Sequence, residues 1–165
     1  MNKRELPYRS VLFVCDVNTC RSQMAEAIFK KMLKDRHVDT EIEVNSGGIA
    51  PHARNGALVS LDARLSLKEE GIVLDDQKSS LDLKRRPEFI ARADLLITMT
   101  GQQKEWIGSY PEARGKELCT LKEFVGGNGD IEDPSGKGDE IYRQGKEEIK
   151  RCLDLAIAKI LKYNA

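Results

Sequence analysis

The stretch from Val11 to Phe29, VLFVCDVNTCRSQMAEAIF, changes its hydrophobic period in the middle. Its first five residues, Val11–Cys15, are typical of a buried strand, and an apolar pattern with helical spacing begins about seven residues later. The same alternation predicts further strands at Ile42–Asn45, Leu95–Thr100 and Leu118–Leu121. Helices are predicted at Ser22–Asp35, Gly56–Glu70, Pro87–Ala93, Gln102–Ser109 and Glu140–Tyr163. Continuously apolar strands that alternate with helices indicate an α/β fold, with a parallel sheet covered by helices on both faces.

Length and charge limit the classes of protein to consider. A chain of 165 residues predicts a single domain over 1–165, with residues 1–9 as an N-terminal extension. Lys plus Arg and Asp plus Glu each number 27, and no long basic run predicts nucleic-acid binding. Without an apolar leader or an eighteen-residue apolar run, we expect a soluble, cytoplasmic protein that does not bind membranes. We also expect a monomer.

The cysteines indicate reactive or buried thiols rather than disulfides or a metal site. The four are Cys15, Cys20, Cys119 and Cys152, and none belongs to a CxxC pair suited to zinc. We therefore expect no metal and no cofactor. Cys119 and Cys152 are interpreted as core residues.

The loop from Cys15 to Ser22 reads C-x5-R-S and joins the first predicted strand to a helix. Backbone N–H groups at such a junction point toward one site, and the helix dipole makes that site attractive to an oxyanion. Arg21 could add two parallel hydrogen bonds to phosphate oxygens. The same positive field favours the Cys15 thiolate, a nucleophile that would form a phosphocysteine, with Ser22 stabilising the sulfur as it leaves.

A leaving group needs a proton, and the glycine-rich segment Gly126–Gly138 offers Asp130, Glu132 and Asp133, with Pro134 next in sequence. Loops at the same end of a parallel sheet could meet over one phosphate. Asp-Pro pairs are also ordinary in turns, so this segment alone leaves the acid unassigned.

Six segments, in this order and spacing, resemble the low-molecular-weight protein tyrosine phosphatase family. They are VLFVCDVNTCRSQMAEAIF, EVNSGGI, DARLSLKEEGI, ADLLITMT, LKEFVGGNGDIEDPSG and IYRQGKEEI. The family includes bacterial protein arginine phosphatases and is related to thioredoxin-coupled arsenate reductases. The resemblance implies a single-domain, four-stranded parallel sheet flanked by helices, and a hydrolase acting on phosphorylated proteins and binding inorganic phosphate or similar oxyanions.

The resemblance also implies roles for particular residues. Cys15 would be the nucleophile, Arg21 the phosphate clamp and Asp133 the general acid. Asn18 and Ser46 match the pair that holds the loop's shape and supports Ser22. The residues expected to contact phosphate or substrate are Asp16, Val17, Asn18, Thr19, Cys20, Ser22 and Ser135.

Two loop residues depart from the family pattern, in which the cysteine is followed by a small or apolar residue, then glycine and asparagine. Asp16 places a carboxylate beside the phosphate cradle, where it should oppose a bound dianion. Val17 is β-branched and does not readily adopt a backbone conformation chosen for glycine. Either the loop bends differently, or activity is low, or both side chains point outward without effect.

Substrate choice stays open between phosphoarginine and phosphotyrosine. Thr19 resembles the arginine phosphatases and favours phosphoarginine. Ser135 and Gln23 resemble the arsenate reductases, but no cysteine lies between the third strand and Cys119 to serve as a redox partner. An arsenate reductase-like enzyme is therefore the second hypothesis, and a catalytically weak oxyanion-binding module is the third.

Cys20 lies in the same loop as Cys15. A Cys15–Cys20 disulfide formed under peroxide would protect the nucleophile from over-oxidation. The alternative is that Cys20 is a packed small side chain.

Overall fold

The computed structural model describes residues 5–162 and contains a four-stranded parallel sheet in the order β2-β1-β3-β4. The strands are β1 (Ser10–Cys15), β2 (Glu43–Gly48), β3 (Leu95–Thr98) and β4 (Glu117–Thr120). All pairings are parallel, and Cys15 lies opposite Gly48 in the register of β1 with β2. The predicted α/β class and the parallel sheet are confirmed.

Helices connect the strands and cover the sheet. They are α1 (Arg21–Asp35), α2 (Leu61–Glu69), α3 (Glu88–Arg92), α4 (Gly101–Gly108), α5 (Leu121–Phe124) and α6 (Asp139–Leu161), with a 3-10 turn at Pro111–Ala113. The helix predicted over Gly56–Glu70 is wrong in its first turn, because Gly56 has a φ of 83° and Leu58 forms a β-bridge with Ser79. The predicted end of the last helix, Tyr163, lies outside the described residues.

The central strand β1 is buried on both faces, as its unbroken apolar sequence predicts. Val11 and Phe13 face the layer formed by α1 and α6, where the rings of Phe13 and Phe29 meet edge to face at 5.6 Å. Leu12 and Val14 face the opposite layer, which α3 and α4 cover. Because both faces are packed, the end of β1 is held firmly on either side.

The order of the strands places a topological switch at the carboxyl ends of β1 and β3. The chain leaves β1 to form β2 on one side, and β3 then pairs with β1 on the other side. Loops that follow these two strands diverge and open a crevice, the usual ligand site of such sheets. Cys15 is the last residue of β1 and stands at this crevice.

No helix within residues 5–162 has the length and apolar character needed to cross a bilayer.

Candidate active site

The loop after β1 ends where α1 begins at Arg21. Cys20 is the N-cap residue of α1 but its side chain forms no capping hydrogen bond, and the first turn contains no acidic residue. The N–H groups of this turn are therefore available to an external anion, and the helix dipole adds positive potential.

The sulfur of Cys15 is buried within this loop, with 2% of the residue exposed. The backbone N–H of Asn18 donates to Sγ at 3.3 Å, and Ser22 Oγ lies 2.8 Å from Sγ. Hydrogen bonds donated to a sulfur favour its thiolate form. The Cys15 sulfur therefore lies within reach of two hydrogen-bond donors, beside the N–H groups that are open to an anion.

A chain of hydrogen bonds fixes the direction in which the Ser22 hydroxyl points. Asn18 Oδ1 accepts from the backbone N–H of Leu81 at 2.9 Å, so its Nδ2 donates to Ser22 Oγ at 2.7 Å and to Ser46 Oγ at 3.0 Å. Ser46 in turn donates to Glu26 Oε1 at 2.7 Å. Because Ser22 Oγ already accepts from Asn18, its own proton is available to the Cys15 sulfur.

Glu26 anchors the far end of that chain as an ionised carboxylate. Burial opposes its ionisation, but the nearby charges of Lys78 and Lys30, together with hydrogen bonds, hold the pKa of Glu26 below its usual value. Lys78 Nζ lies 2.9 Å and Lys30 Nζ 3.0 Å from Oε2. The carboxylate can therefore keep the Ser46 hydroxyl turned away from Asn18.

The loop accommodates Val17 without the expected backbone strain. Among the non-glycine residues that the structure describes, only Asn18 and His37 have a positive φ, and that of Asn18 is 60°. Asparagine tolerates this left-handed region, whereas a β-branched residue does not. Of the alternatives for Val17, the structure favours a loop that bends differently, because the left-handed residue is Asn18 and Val17 has no positive φ.

Arg21 is buried, with 4% exposed, and lies across the base of the crevice. Its Nη1 donates to the carbonyl of Ile131 at 2.9 Å, and its Nη2 lies 3.7 Å from Asp16 Oδ2. Gln103 Nε2 donates to the other oxygen of Asp16 at 2.8 Å. The carboxylate of Asp16 therefore lies between Gln103 and the guanidinium of Arg21, with 40% of the side chain still exposed.

The glycine-rich segment approaches this loop through Ile131. Besides accepting from Arg21, Ile131 donates its N–H to the carbonyl of Met99 at 2.8 Å, at the end of β3. Asp130 accepts from the N–H of Gly101 at 2.9 Å and so caps α4. Asp133 is exposed, and its Oδ1 accepts from the N–H of Ser135 at 3.0 Å. Both carboxylates are exposed, but Asp130 is bonded to the start of α4, whereas Asp133 bonds only to its near neighbour Ser135 among the contacts described.

Cys20 differs from Cys15 in its surroundings. Burial raises the pKa of the Cys20 thiol to about 12, against a smaller opposing effect from its hydrogen bond with Tyr142, and the charges of Cys15 and Asp133 raise it further. The Tyr142 hydroxyl lies 2.7 Å from Cys20 Sγ and 3.3 Å from Ser60 Oγ. Cys20 is therefore a protonated thiol at neutral pH, and its disulfide with Cys15 stays a prediction.

Thr19 and Ser135, the residues expected to bear on substrate choice, belong to the loop after β1 and to the glycine-rich segment, respectively. The Thr19 carbonyl accepts from the N–H of Ser60 at 2.9 Å, which ties the loop to the start of α2. Thr19 is half-buried, and Ser135 is exposed.

Four supporting residues were not predicted in these roles from sequence: Gln23, Glu26, Gln103 and Tyr142. Gln23 Nε2 donates to both the carbonyl and the side-chain oxygen of Asn18 at 3.2 Å. Gln103 follows Thr100 at the spacing of a capping box, which predicts a helix start but not a contact with Asp16. The partners of Glu26, Gln103 and Tyr142 are 20 or more residues away in the sequence, so periodicity does not reveal these contacts.

The chain is similar in sequence and structure to known phosphatases. The model of the family described as "Low molecular weight phosphotyrosine protein phosphatase" matches residues 10–164. A protein-arginine-phosphatase of Geobacillus stearothermophilus is 38% identical over 157 residues, covering 94% of this chain and 97% of that protein. The crystal structure of a low molecular weight protein tyrosine phosphatase from T. tengcongensis superposes with a TM-score of 0.81 at 38% identity, covering 92% of this chain and 99% of that one.

A further solved structure bears on the chemistry of the cysteine. It is a Cys-to-Ser mutant of the YwlE arginine phosphatase with a phosphorylated active-site serine. It superposes with a TM-score of 0.80 at 35% identity and covers 93% of this chain and 95% of that one.

Proposed function

The chain belongs to the low molecular weight phosphotyrosine protein phosphatase family and is a cysteine-dependent protein phosphatase, and on this premise we propose that Cys15 is its nucleophile. The observation that carries the proposal is the surroundings of the Cys15 sulfur. It accepts from the N–H of Asn18 and lies 2.8 Å from the Ser22 hydroxyl, whose proton is free to stabilise a thiolate.

In the first proposed step, the Cys15 sulfur attacks phosphorus. The S–P bond forms as the bond from phosphorus to the substrate's nitrogen or oxygen breaks, and Asp133 gives its proton to that leaving atom. Arg21 and the N–H groups of the first turn of α1 bind the phosphoryl oxygens. The product of this step is a phosphocysteine.

In the second step, water attacks the phosphocysteine. Asp133 accepts a proton from that water as its oxygen bonds to phosphorus, and the S–P bond breaks to return the Cys15 thiolate and inorganic phosphate. Ser22 stabilises the returning thiolate by donating its hydrogen bond. Asn18 and Ser46 support this step by holding the Ser22 hydroxyl in position.

The proposed substrates are proteins phosphorylated on arginine or tyrosine, with phosphoarginine preferred. Thr19 in the loop and the 38% identity with a protein-arginine-phosphatase support that preference. We also infer a cytoplasmic location, because the four cysteines are free thiols and reduced thiols are typical of that compartment.

The test is steady-state release of phosphate from phosphoarginine and phosphotyrosine peptides of matched sequence under reducing conditions. The wild-type protein should turn over at least one of them, and Cys15→Ser should turn over neither. Activity retained by Cys15→Ser would contradict the assignment of the nucleophile. The ratio of the two kcat/KM values measures the substrate preference directly.

The two alternative functions give different results in the same experiment. Reduction of arsenate that depends strictly on added thiol, without phosphate release, would favour the reductase. Binding of phosphate or arsenate without turnover of either peptide would favour a weak oxyanion-binding module. The observation that supports this alternative is the Asp16 carboxylate, which lies 3.7 Å from Arg21.

A further inference from the structure

Asp16 stands between the crevice and the buried amide of Gln103. Its Oδ1 accepts from Gln103 Nε2 at 2.8 Å, its Oδ2 lies 3.7 Å from Arg21 Nη2, and 40% of its side chain is exposed. The carboxylate therefore touches the guanidinium that is proposed to bind phosphate and is also open to whatever enters the crevice.

Gln103 fixes the orientation of that carboxylate. It is fully buried, and its Oε1 accepts from the N–H groups of Met99 and Thr100, each at 2.9 Å. Reversing the amide would set its NH₂ group against two N–H donors, so Nε2 must point toward Asp16. Asp16 is held by a rigid donor and is not a mobile surface carboxylate.

The charge of Asp16 affects substrates unequally. Any phosphoryl dianion bound by Arg21 is repelled by a carboxylate one contact away from that arginine. A substrate can offset this electrostatic repulsion only if it carries a positive charge close to phosphorus. The guanidinium of phosphoarginine is bonded to phosphorus through nitrogen and does so, whereas the ring of phosphotyrosine is neutral.

Asp133 does not supply the same negative charge when substrate binds. As the proposed general acid it must then carry the proton that it later donates, and a protonated carboxyl group is neutral. Asp16 has no such task, and it stands beside Arg21 in the cradle.

We propose that Asp16 is a specificity residue, which selects phosphorylated groups that carry a positive charge next to phosphorus. This inference rests on the proposed function of the same site. Asp16 would then make the enzyme discriminate between two substrates and would not lower its activity on both of them.

The test compares wild type, Asp16→Asn and Asp35→Asn on matched phosphoarginine and phosphotyrosine peptides. Asp16→Asn keeps an acceptor for Gln103 and removes the charge. The ratio of kcat/KM for phosphoarginine over phosphotyrosine should fall about tenfold, chiefly because the value for phosphotyrosine rises. Inhibition by inorganic phosphate should strengthen as well. Asp35→Asn removes an exposed charge at the far end of α1, about 20 Å along the helix, and should leave the ratio unchanged.

Two further variants separate charge from shape. Asp16→Glu keeps the charge and should keep most of the preference for phosphoarginine, whereas Asp16→Thr should lose it as Asp16→Asn does. Thermal unfolding of each variant would verify that the fold is retained. If both kcat/KM values change together and the ratio stays constant, Asp16 only orients Arg21 and the inference is wrong.

Binding measurements keep the inference testable if turnover is absent. Calorimetric titration of the two phosphopeptides into Cys15→Ser, with and without Asp16→Asn, gives the same ratio as affinities. A wild-type protein without turnover would overturn the proposed function alone. An affinity ratio that Asp16→Asn leaves unchanged would overturn the role of Asp16.

Discussion

The loop that holds Cys15 and the segment that carries Asp133 meet over one crevice but are built in opposite ways. The phosphate loop, Cys15–Ser22, is largely buried and cross-linked by side-chain hydrogen bonds through Asn18. The acid segment, Gly126–Gly138, is mostly exposed, and four of its glycines have a positive φ: Gly126, Gly129, Gly136 and Gly138. A loop that binds phosphate needs hydrogen-bond donors in fixed positions, whereas the residue that donates a proton must reach both substrate and solvent.

The largest expected effect comes from the exposed segment, although it contributes little to stability. Asp133→Asn removes the proposed proton donor and should lower kcat by about 10²–10⁴-fold. Because Asp133 is exposed and accepts a local hydrogen bond from Ser135, the melting temperature should change little. Stopped-flow kinetics and thermal unfolding check the two halves of this prediction. Asp130→Asn, in the residue that caps α4, is the matched control and should lose less activity.

A glycine-to-alanine substitution beside the phosphate loop and one in the acid segment should have different effects on stability and activity. A Cβ on Gly48 would lie 2.8 Å from the carbonyl oxygen of Asp16 and 2.9 Å from the carbonyl carbon of Val17, whereas a Cβ on Gly136 would meet no atom within 4 Å. Gly48→Ala should destabilise by about 1–3 kcal/mol and lower kcat/KM, because it displaces the phosphate loop. Gly136→Ala should destabilise by about 1 kcal/mol through its positive φ and keep most activity.

Urea unfolding and kcat/KM of both alanine variants measure this difference. An equal loss of activity in Gly48→Ala and Gly136→Ala would show that the acid segment is as rigidly specified as the phosphate loop, which contradicts the comparison.

The smallest expected effect concerns Glu26, which supports the phosphate loop from behind. Its pKa is lowered in the folded protein, so it stabilises the fold above its unfolded value of 4.5, and this stabilisation is lost as pH falls through the lower folded value. Glu26→Gln should therefore destabilise by about 1 kcal/mol near pH 7, and the difference from wild type should shrink below about pH 4.5. Guanidinium unfolding at a series of pH values measures this. A difference that grows toward acid pH would have the wrong sign.

The central strands β1 and β3 were predictable because they are short, mostly apolar and fully buried. The edge strands β2 and β4 carry a weaker signal, because they are more polar and partly exposed. The boundaries that failed depend on contacts distant in sequence. Gly56 to Ser60 is not helical, since Leu58 bridges to Ser79 and the N–H of Ser60 bonds to Thr19, and neither contact leaves a periodic pattern.

The loop's chemistry was predictable from Cys15, Arg21 and Ser22, which are close in sequence. The backbone conformation of the loop was harder to predict. The sequence left open whether Val17 is strained or the loop bends differently, and the left-handed residue proves to be Asn18, a residue type that tolerates this conformation. The contact of Gln103 with Asp16 could not be predicted, because it joins helix α4 to the loop after β1, 87 residues apart in the sequence.

The measurement that tests the central claim most directly is the trapping of the phosphoenzyme. Wild type and Asp133→Asn are mixed with excess phosphoarginine or phosphotyrosine peptide, quenched within one turnover and mapped by mass spectrometry. We predict one phosphoryl group on Cys15, lost on further incubation as phosphate is released. A phosphoryl group on any other residue, or turnover that proceeds with Cys15 never modified, would contradict the account.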